Sequence, residues 1–502
     1  FGLAGGGPVV IPKLYNGKNK TFWHFTWEVN KFGDPNVGAS TSTVPKAAWK
    51  NGDLSDLLRI GANYQIYDPA TIAVAPNGRF SRQPIPGNII PAGRIDPIAK
   101  KILDLYPLQN QPAVATADGR NNFFMPGKAL EDYWTTIGRV DHAFSDKDRM
   151  FVRFHRDFWE EDKKRFFADD VNGVILNRIN RAIALDEVHM FSPTLVLNFR
   201  YGVTQQEFLE RRVSQGFDLA SLAFAPAFVS LYPKAQSAVP NVSVGSLTAL
   251  SQSESGDGLA SSISHTFTGN FSWMKGNHNV RFGPEFRVYR VFSDRHSGDS
   301  APILNFNNLW GRGPNDNSTA PPVGGELTAL LLGIPGGNGL RSGSFAQQDT
   351  YFAFYVQDDW KLTRKLTLNV GLRLEHESPV TERFNRSAIH FLGDQPNPIS
   401  ARAIANYARS PIPELPVANF KINGGLTFAG AGGNPREFWE GQAIAFLPRI
   451  GLAYQLNDKT VLRTGYGVFY GSLGAFKVAS QLAGFSLMPQ AFSSGLRALA
   501  AK

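Results

Sequence analysis

The sequence contains no cysteine, which excludes disulfide frameworks and cysteine-based zinc sites. A chain without thiols also avoids misoxidation in an oxidising compartment such as the periplasm. No run of about 18 apolar residues occurs, so the sequence has no candidate transmembrane helix. This absence does not exclude a membrane protein, because the strands of membrane barrels alternate apolar and polar residues. Their mean hydropathy therefore resembles that of soluble proteins, as does the value of -0.20 here.

The sequence also lacks the common motifs for catalysis and metal binding. Its 9 histidines include no HExxH or comparable spacing, and no GxSxG nucleophile elbow occurs. The glycines at 5–7 are not followed by GKS or GKT, as a phosphate-binding loop requires. The sequence therefore predicts no catalytic residue, no metal site and no cofactor, and we expect that the protein is not an enzyme.

The chain carries a net charge of +9, which could indicate nucleic acid or another acidic partner. The basic residues are scattered, however, and the densest run is Lys163-Lys164-Arg165. A nucleic-acid-binding protein would cluster them on one face. We therefore interpret the charge as a mildly basic solvated surface and predict no nucleic-acid partner.

Two-residue alternation is the main pattern that the sequence does contain. Apolar and polar residues alternate over 195–204, 366–375 and 450–456, which predicts strands with one apolar face and one polar face. Very short connections with turn-forming residues join such strands into hairpins. These connections lie at 145–147, 192–194, 276–277, 362–364 and 457–459.

Residues that face each other across a hairpin lie on the same face of the sheet. In four hairpins the apolar residues then stay on one face. The predicted facing pairs are Phe271 with Phe282, Val356 with Val370, Leu456 with Thr460, and Val140 with Val152. The fifth hairpin breaks the pattern, because Glu187 and His189 would share a face with Leu197 and Phe199. Either its turn is longer than three residues or its strand is irregular.

Long segments rich in Gly, Pro, Asn and Ser separate the hairpins. They lie near 31–132, 158–181, 210–262, 293–349 and 376–446. Loops of this length are unusual in a compact soluble domain, whereas short turns alternating with long loops are typical of outer-membrane barrels. The sequence therefore predicts an all-β fold, an antiparallel transmembrane β-barrel over 1–470 with about 12 strands. We expect the short turns to face the periplasm and the long loops to be extracellular.

Aromatic residues stand just before most of the short turns, where an interfacial aromatic girdle would lie. The predicted girdle residues are Phe144, Phe191, Trp273 and Trp360. Ordinary strand-end aromatics of a soluble sheet are the alternative. One long loop also predicts a short helix, capped by Asp96, with a stripe at Ile98, Ile102 and Leu105 before Pro107 ends it.

Charged residues occupy the polar side of the strands. At mid-bilayer a charge facing lipid would cost about 2–4 kcal/mol, so we expect these side chains to line the lumen, where they would contact a plug or a solute. The alternative is the solvated face of a soluble sheet. The predicted lumen-facing residues are Arg139, Asp141, Arg153, Arg200, Arg281, Glu285, Arg287, Arg373, Glu375 and Arg463.

Several segments, in the family's order, resemble the TonB-dependent outer-membrane receptors, specifically the Oar-like branch with a carboxypeptidase-regulatory-like domain. The resemblance implies a barrel of about 22 strands, an internal plug domain, and energy from a TonB–ExbB–ExbD system. The segments that carry it are GGGPVVIPKLYNGKNKTFWHFTWE at 5–28, IPGNIIPAGRIDPIAKKILDLYP at 85–107, TTIGRVDHAFSDKDRMFVRF at 135–154, YVQDDWKLTRKLTLNVGLRLEHESP at 355–379 and LPRIGLAYQLNDKTVLRTGYGVFY at 447–470.

The family's plug, TonB box and regulatory-like domain have no counterpart in the sequence, nor do roughly ten of its strands. We therefore expect a fragment of the barrel, with 471–502 as a truncated loop or the start of the next hairpin. The predicted function is TonB-dependent uptake of an unidentified solute through the Gram-negative outer membrane. The alternatives are a passive porin-like or adhesin barrel, and a soluble all-β carbohydrate-binding or enzyme domain.

Overall fold

The computed structural model describes residues 1–34, 40–76, 78–114, 116–127, 129–252, 257–296, 301–339 and 343–471. The predicted truncated loop or hairpin over 471–502 therefore lies outside the described residues, apart from Gly471. Within the described ranges, no helix has the length and apolar character needed to cross a membrane.

One antiparallel sheet dominates the structure, and its strands pair with their neighbours in chain order. The strands are β1 (Gly2–Pro8), β2 (Thr21–Asp34), β3 (Ala129–Ser145), β4 (Asp148–Lys163), β5 (Val174–Ser192), β6 (Leu195–Arg212), β7 (Asp257–Lys275), β8 (His278–His296), β9 (Phe345–Lys361), β10 (Leu366–Glu377), β11 (Ala445–Asn457) and β12 (Thr460–Gly467). A two-residue strand, Thr381–Glu382, pairs with the start of β9. Among the described residues β1 and β12 do not pair with each other, so the sheet is open between them. The all-β prediction is confirmed.

Short and long connections alternate along this sheet. The hairpins β3–β4, β5–β6, β7–β8, β9–β10 and β11–β12 are closed by a few residues each, whereas the connections between them are long. Antiparallel strands place successive connections at opposite ends of a sheet. All the closed hairpin turns therefore lie at one end, the short-turn end, and the long loops lie at the other, the long-loop end.

The register confirms the predicted pairs Phe271 with Phe282 and Val140 with Val152. Two other predicted pairs are wrong. Val356 faces Leu372 instead of Val370, because Lys361 pairs with Thr367 and the turn is therefore two residues longer than predicted. Thr460 faces Asn457, because a register shift between Gln455 and Asn457 leaves Leu456 unpaired. A shift of two residues preserves the face of every side chain, so the first error does not change the face assignment.

The structure accounts for the irregular sequence pattern of the β5–β6 hairpin. Its register shifts between Met190 and Ser192, which confirms an irregular strand. Glu187 nevertheless faces Phe199, and His189 faces Leu197. Two polar side chains therefore do lie on the apolar side of the sheet, close to the short-turn end.

The exposure of the two faces is opposite to that of a soluble sheet. Along β9 Phe352 and Phe354 are 47% and 38% exposed, while Tyr351 and Ala353, which alternate with them, are 6% and 0% exposed. The same apolar face leaves Val370 of β10 exposed at 46%. A soluble sheet buries its apolar face against a core, so the hypothesis of a soluble all-β domain does not fit this structure.

The buried apolar core lies in the first four long loops, which together form a unit that we call the loop cap (residues 40–127, 164–173, 213–252 and 301–339, without the undescribed positions). Its core contains Trp49, Leu57, Ile102, Phe167, Leu222, Val242, Leu304 and Leu327, among others. The helices are α1 (Ser55–Leu58), α2 (Pro97–Asp104), α3 (Pro226–Val229) and α4 (Gly325–Leu331) within the cap, and α5 (Ser400–Tyr407) in the fifth long loop.

Small strands and 3-10 helices complete the connections. Asn241–Val244 pairs in parallel with Ile303–Phe306, which also pairs with Gly336–Asn338. The remaining strand pairs are Val10–Ile11 with Tyr15–Asn16, Ser40–Ser42 with Phe123–Met125, Ala73–Val74 with Phe80–Ser81, and Ala388–Phe391 with Leu426–Phe428. The 3-10 helices are Trp49–Asn51, Ala62–Tyr64, Pro69–Thr71, Pro86–Asn88, Ala92–Arg94, Leu219–Leu222, Asn308–Gly311 and Val417–Asn419.

Helix α2 is the helix that the sequence predicts. The side chain of Asp96 accepts hydrogen bonds from the backbone N–H groups of Ile98 (2.8 Å) and Ala99 (3.2 Å), as an N-cap should. Ile98 and Ile102 are buried, as predicted, while Leu105 follows the end of the helix and is only partly buried.

The face assignment can be tested on two adjacent residues of β10. Val370→Arg would direct a charge from the apolar face into lipid, at a cost of about 2–4 kcal/mol near mid-bilayer. Asn369→Arg would direct the same charge to the polar face, next to Asp359. We expect the first variant to lose outer-membrane insertion and the second to insert normally, measured as the heat-modifiable fraction on gels. Equal losses in both variants would contradict the assignment.

Candidate functional site

The register places all the predicted lumen-facing charges on one side of the sheet, which we call the polar face. Asp141 of β3 pairs with Phe151 of β4, Phe151 pairs with Asp186 of β5, and Asp186 pairs with Arg200 of β6. Because directly paired residues share a face, Asp141 and Arg200 point to the same side. By the same argument the polar face carries Arg139, Asp141, Arg153, Arg200, Arg281, Glu285, Arg287, Arg373, Glu375 and Arg463.

Five polar-face residues of β8, β9 and β10 form a central ion-pair cluster: Glu285, Arg287, Tyr351, Arg373 and Glu375. The guanidinium of Arg373 donates to Glu285 and to Glu375, each at 2.6 Å, and to the hydroxyl of Tyr351 at 2.9 Å. Arg287 donates to the same Glu285 carboxylate. The side chains of Arg373, Glu285 and Glu375 are only 14–16% exposed. Removal of Arg373 would therefore leave Glu375 without its arginine partner and Glu285 with Arg287 alone, both in poorly solvated positions.

Further ion pairs lie nearer the short-turn end. Arg200 binds Asp186 at 2.6 Å, and Arg281 binds Asp359 at 2.5 Å. Asp359 also accepts a hydrogen bond from Asn369 at 3.0 Å. The sequence reasoning did not identify Asp186 or Asp359. Asp186 directly faces Arg200, but the failed parity of that hairpin concealed the pair.

Arg139 forms a pair within its own strand. It binds Asp141 at 2.6 Å, and its guanidinium lies 3.8 Å from the ring centroid of Phe151 on β4. The ring and the carboxylate together fix the direction of this arginine. Arg139 and Asp141 therefore offer less free charge to a partner than the sequence alone implies.

Two predicted arginines differ from the rest. Arg153 and Arg463 are exposed and have no ion-pair partner among the residues that the structure describes. The same is true of Arg149, which the sequence reasoning did not identify and which lines a cavity of about 360 Å³ with Asp141, Phe151 and others at the short-turn end. These guanidinium groups are the part of the polar face that remains available to another molecule.

A second cleft lies at the long-loop end of the polar face. It has a volume of about 260 Å³, and Tyr351, Glu375, Trp439 and Tyr470 are among its lining residues. Trp439 comes from the fifth long loop, so this loop covers the end of β9 and β10. The cleft combines aromatic rings with carboxylates, and such surfaces contact sugars and cations.

The four predicted girdle aromatics lie on the opposite face, near the short-turn end. Each contacts a histidine or a lysine. The ring centroids of Phe144 and His142 are 4.4 Å apart, and the ring of Trp360 stacks on that of His278 with centroids 5.1 Å apart. The remaining contacts are Phe191 with His189 at 4.5 Å and Trp273 with Lys275 at 5.2 Å. An apolar ring beside a polar group suits the boundary between lipid and water.

One group among the described residues could offer three metal ligands: Asp148, Glu187 and His189, whose ligand atoms lie within 4.8 Å of one another. The group is half-buried on the apolar face near the short-turn end. His189 and Asp148 already approach each other at 3.6 Å. Direct pairing between the side chains accounts for this arrangement without an ion.

Solved structures with a similar arrangement include the outer membrane transporter YddB from Escherichia coli, at 10% identity and a TM-score of 0.40, covering 93% of this chain and 45% of that one. The ferric-catecholate import receptor Fiu from E. coli K12 matches at 12% identity and a TM-score of 0.33, covering 69% and 48%. The FrpB iron transporter from Neisseria meningitidis matches at 9% identity and a TM-score of 0.33, covering 91% of this chain and 43% of that one. The chain thus spans less than half the length of each.

A comparison with curated proteins finds no match. The sequence model of one family, described as the outer membrane beta barrel domain, matches residues 1–496. This range includes every strand of the sheet. Assignment to this family also accounts for the exposed apolar face, which would contact lipid. The chain therefore belongs to the outer membrane beta barrel family and lies in the outer membrane of Gram-negative bacteria.

Proposed function

We propose that this chain forms part of the wall of a TonB-dependent receptor that imports a solute across the outer membrane. The observation that carries the proposal is the pairing of an exposed apolar face with a polar face of partly buried charges. A wall with lipid on one side and a polar lumen on the other has this construction. The sequence resemblance to the Oar-like branch supports an active receptor in particular.

The height of the apolar band supports the membrane placement. On β8 the apolar face is continuous from Val280 to Val288, through Phe282, Pro284 and Phe286. These nine residues span about 30 Å along a strand. At a tilt near 40° this corresponds to about 23 Å across the membrane, close to the ~25 Å band of outer-membrane barrels.

The predicted girdle residues Phe144, Phe191, Trp273 and Trp360 would then mark the periplasmic interface. The long-loop end would lie outside the cell. This orientation follows the usual asymmetry of outer-membrane barrels, in which periplasmic turns are short and extracellular loops are long.

The polar face would line the lumen and hold a plug domain. Its charges divide into two sets with different roles. The central ion-pair cluster holds β8, β9 and β10 together from the lumen side, because its partners come from all three strands. The unpaired guanidinium groups of Arg149, Arg153 and Arg463 would bind carboxylates or carbonyls of the plug. Pulling by a TonB–ExbB–ExbD system would break those contacts and open a path.

The closed barrel would need more strands than this chain supplies. The family resemblance implies about 22, and the sheet described here is open between β1 and β12. We therefore propose that the chain is a fragment of a larger receptor that also includes the plug and the TonB box.

Solute capture would take place at the long-loop end. The loop cap provides a packed surface there, and the cleft of Tyr351, Glu375, Trp439 and Tyr470 opens where the fifth loop meets the polar face. Rigid loops lower the entropy lost on binding, so a packed cap is suited to selective capture.

Glu326 of α4 connects two loops of the cap. Glu326 is buried. Its carboxylate accepts one hydrogen bond from the hydroxyl of Ser246 and another, at 3.3 Å, from the backbone N–H of Ser246. Burial raises the pKa of the Glu326 carboxyl above its ordinary value, and the bonds from Ser246 only partly oppose this. The folded cap therefore retains a proton on Glu326 over a pH range in which the unfolded chain has lost it.

A passive porin-like barrel remains the alternative function, and electrical conductance separates the two. A receptor whose lumen is filled by a plug should show no steady ohmic conductance when the purified full-length protein is inserted in planar bilayers in KCl. A porin should give stable open steps under the same conditions. Stable steps from the intact protein would overturn the active-receptor proposal.

The central cluster predicts a difference between two arginine substitutions. Arg373→Gln leaves Glu375 without its arginine partner and Glu285 with Arg287 alone, and we expect a loss of about 3 kcal/mol in the free energy of unfolding. Arg364→Gln, in the exposed turn between β9 and β10, should change it by less than about 0.5 kcal/mol. Urea titration followed by heat-modifiable gel mobility measures both. Equal midpoints for the two variants would show that the cluster does not stabilise the wall.

The loop cap should lose stability as pH rises through the range between about 4.3, the usual pKa of glutamate, and the raised pKa of Glu326. The sign follows because the folded state binds more protons there. Hydrogen exchange in α4, corrected for its intrinsic pH dependence, should show this loss. Glu326→Gln should reduce it, whereas Asp104→Asn at an exposed position should not. An unchanged dependence in Glu326→Gln would contradict the assignment.

A further inference from the structure

A cavity of about 770 Å³ opens on the apolar face at the long-loop end. Ile263 of β7, Arg290 of β8 and Gln348 of β9 lie in one paired row of its lining. The next row toward the loops contains Phe292, and the segment after the short strand Thr381–Glu382 adds Arg383. The cavity therefore lies on the lipid side of the sheet, directly beyond the end of the apolar band at Val288.

The polar part of this cavity consists of guanidinium groups. Arg290, Arg383 and Arg436 line it, and no carboxylate is among the described lining residues. Arg290 is oriented by Gln348, to which it donates at 2.9 Å. Arg436 is held by the side chain of Asn385 at 2.7 Å and by the backbone carbonyl of Glu382 at 3.1 Å.

The nearest glutamate of the turn is already used within the protein. Glu382 is fully buried and accepts hydrogen bonds from the backbone N–H groups of Phe384 and Arg386. The described lining of the cavity therefore presents three cations, one of them held by the turn itself, and no carboxylate. A site of this composition is complementary to phosphate, which arginine binds through paired N–H donors.

The surface on the membrane side of the cavity is apolar and aromatic. Two rows below Arg290, the side chains of Phe267, Phe286 and Phe352 lie across three neighbouring strands. Phe384 follows the lining residue Arg383, is 61% exposed, and has its ring centroid 5.4 Å from the guanidinium of Arg383 and 4.8 Å from that of Arg386. An occupant would thus meet cations at one end and hydrocarbon-compatible rings at the other, as an amphiphile requires.

We propose that this cavity binds the phosphorylated headgroup of an outer-leaflet glycolipid of the lipid A type. Its phosphates would contact Arg290, Arg383 and Arg436, and its acyl chains would lie on the aromatic rows below. The site faces lipid, so it is separate from the polar face that would carry solute. The inference depends on the proposed orientation, in which the long-loop end is extracellular, and it does not depend on what the receptor imports.

The test uses the full-length receptor, purified from outer membranes in non-ionic detergent and stripped of lipid. Binding of bisphosphorylated lipid A is measured by native mass spectrometry, with dephosphorylated lipid A and phosphatidylglycerol as comparison lipids. Arg290→Gln/Arg383→Gln removes two exposed cations and leaves Arg436, which supports the turn, in place. We expect at least a tenfold loss of lipid A affinity in this variant. The matched control, Arg364→Gln at the short-turn end, should bind as the unmodified protein does.

The outcomes are distinguishable. Unchanged lipid A binding by the double variant, equal binding of dephosphorylated lipid A or of phosphatidylglycerol, or full displacement by inorganic phosphate would each overturn the proposal. If the double variant fails to fold by heat-modifiable mobility, Arg290→Lys/Arg383→Lys tests the same contacts with charge retained, and it should bind more weakly because the paired donors are lost. Planar-bilayer conductance reports on the transport proposal separately, since loss of this lipid site leaves the lumen intact.

Discussion

The structure depends on one constraint, the hydrogen bonding of every backbone group in a sheet that borders hydrocarbon. Lipid offers no hydrogen-bond partner, so a spanning strand must satisfy its backbone through its neighbours. The strands between β1 and β12 do so on both sides, in an unbroken antiparallel order, and among the described residues β1 and β12 pair on one side only. Once the backbone is paired, successive side chains necessarily point to opposite sides. One side must then be apolar, and only the other side can carry the arginine and carboxylate pairs.

The same constraint moves the hydrophobic core out of the sheet and into the loops. An apolar face that contacts lipid contributes no packed interior, so ordinary core packing is found in the loop cap. There Phe167 of the second long loop packs against Tyr106 and Phe123 of the first, with ring centroids 5.9 and 5.5 Å apart. The hydroxyl of Tyr106 donates to the carbonyl of Thr248 in the third loop at 2.9 Å. Loops on separate hairpins thereby become one folded unit.

Local periodicity predicted the sheet well and the cap poorly, for a physical reason. The face of a side chain depends only on the parity of its position, so the wrong pair Val356 with Val370 still placed both residues on the correct side. Helix α2 was also predictable, because the cap at Asp96 is local. The parallel pairing of Val242 with Leu304 joins two loops across distant sequence and has no periodic signal. Asp186 was missed because Glu187 and His189 lie on the apolar face and made a correct register look wrong.

Polar residues that break the alternation on the apolar face are concentrated near its two ends. Near the short turns they include acids and histidines, with His278 bonded to Asp358 at 2.6 Å and His189 beside Asp148. Near the long loops both signs of charge occur: Arg181 binds Glu207 at 2.9 Å on this face, and Arg290 lies in the row beyond Val288. This distribution suits a sheet that borders hydrocarbon, because a charge facing lipid costs most at mid-bilayer and little near the interfaces. Pairs that neutralise each other need no lipid partner there, whereas guanidinium groups are stabilised beside phosphate.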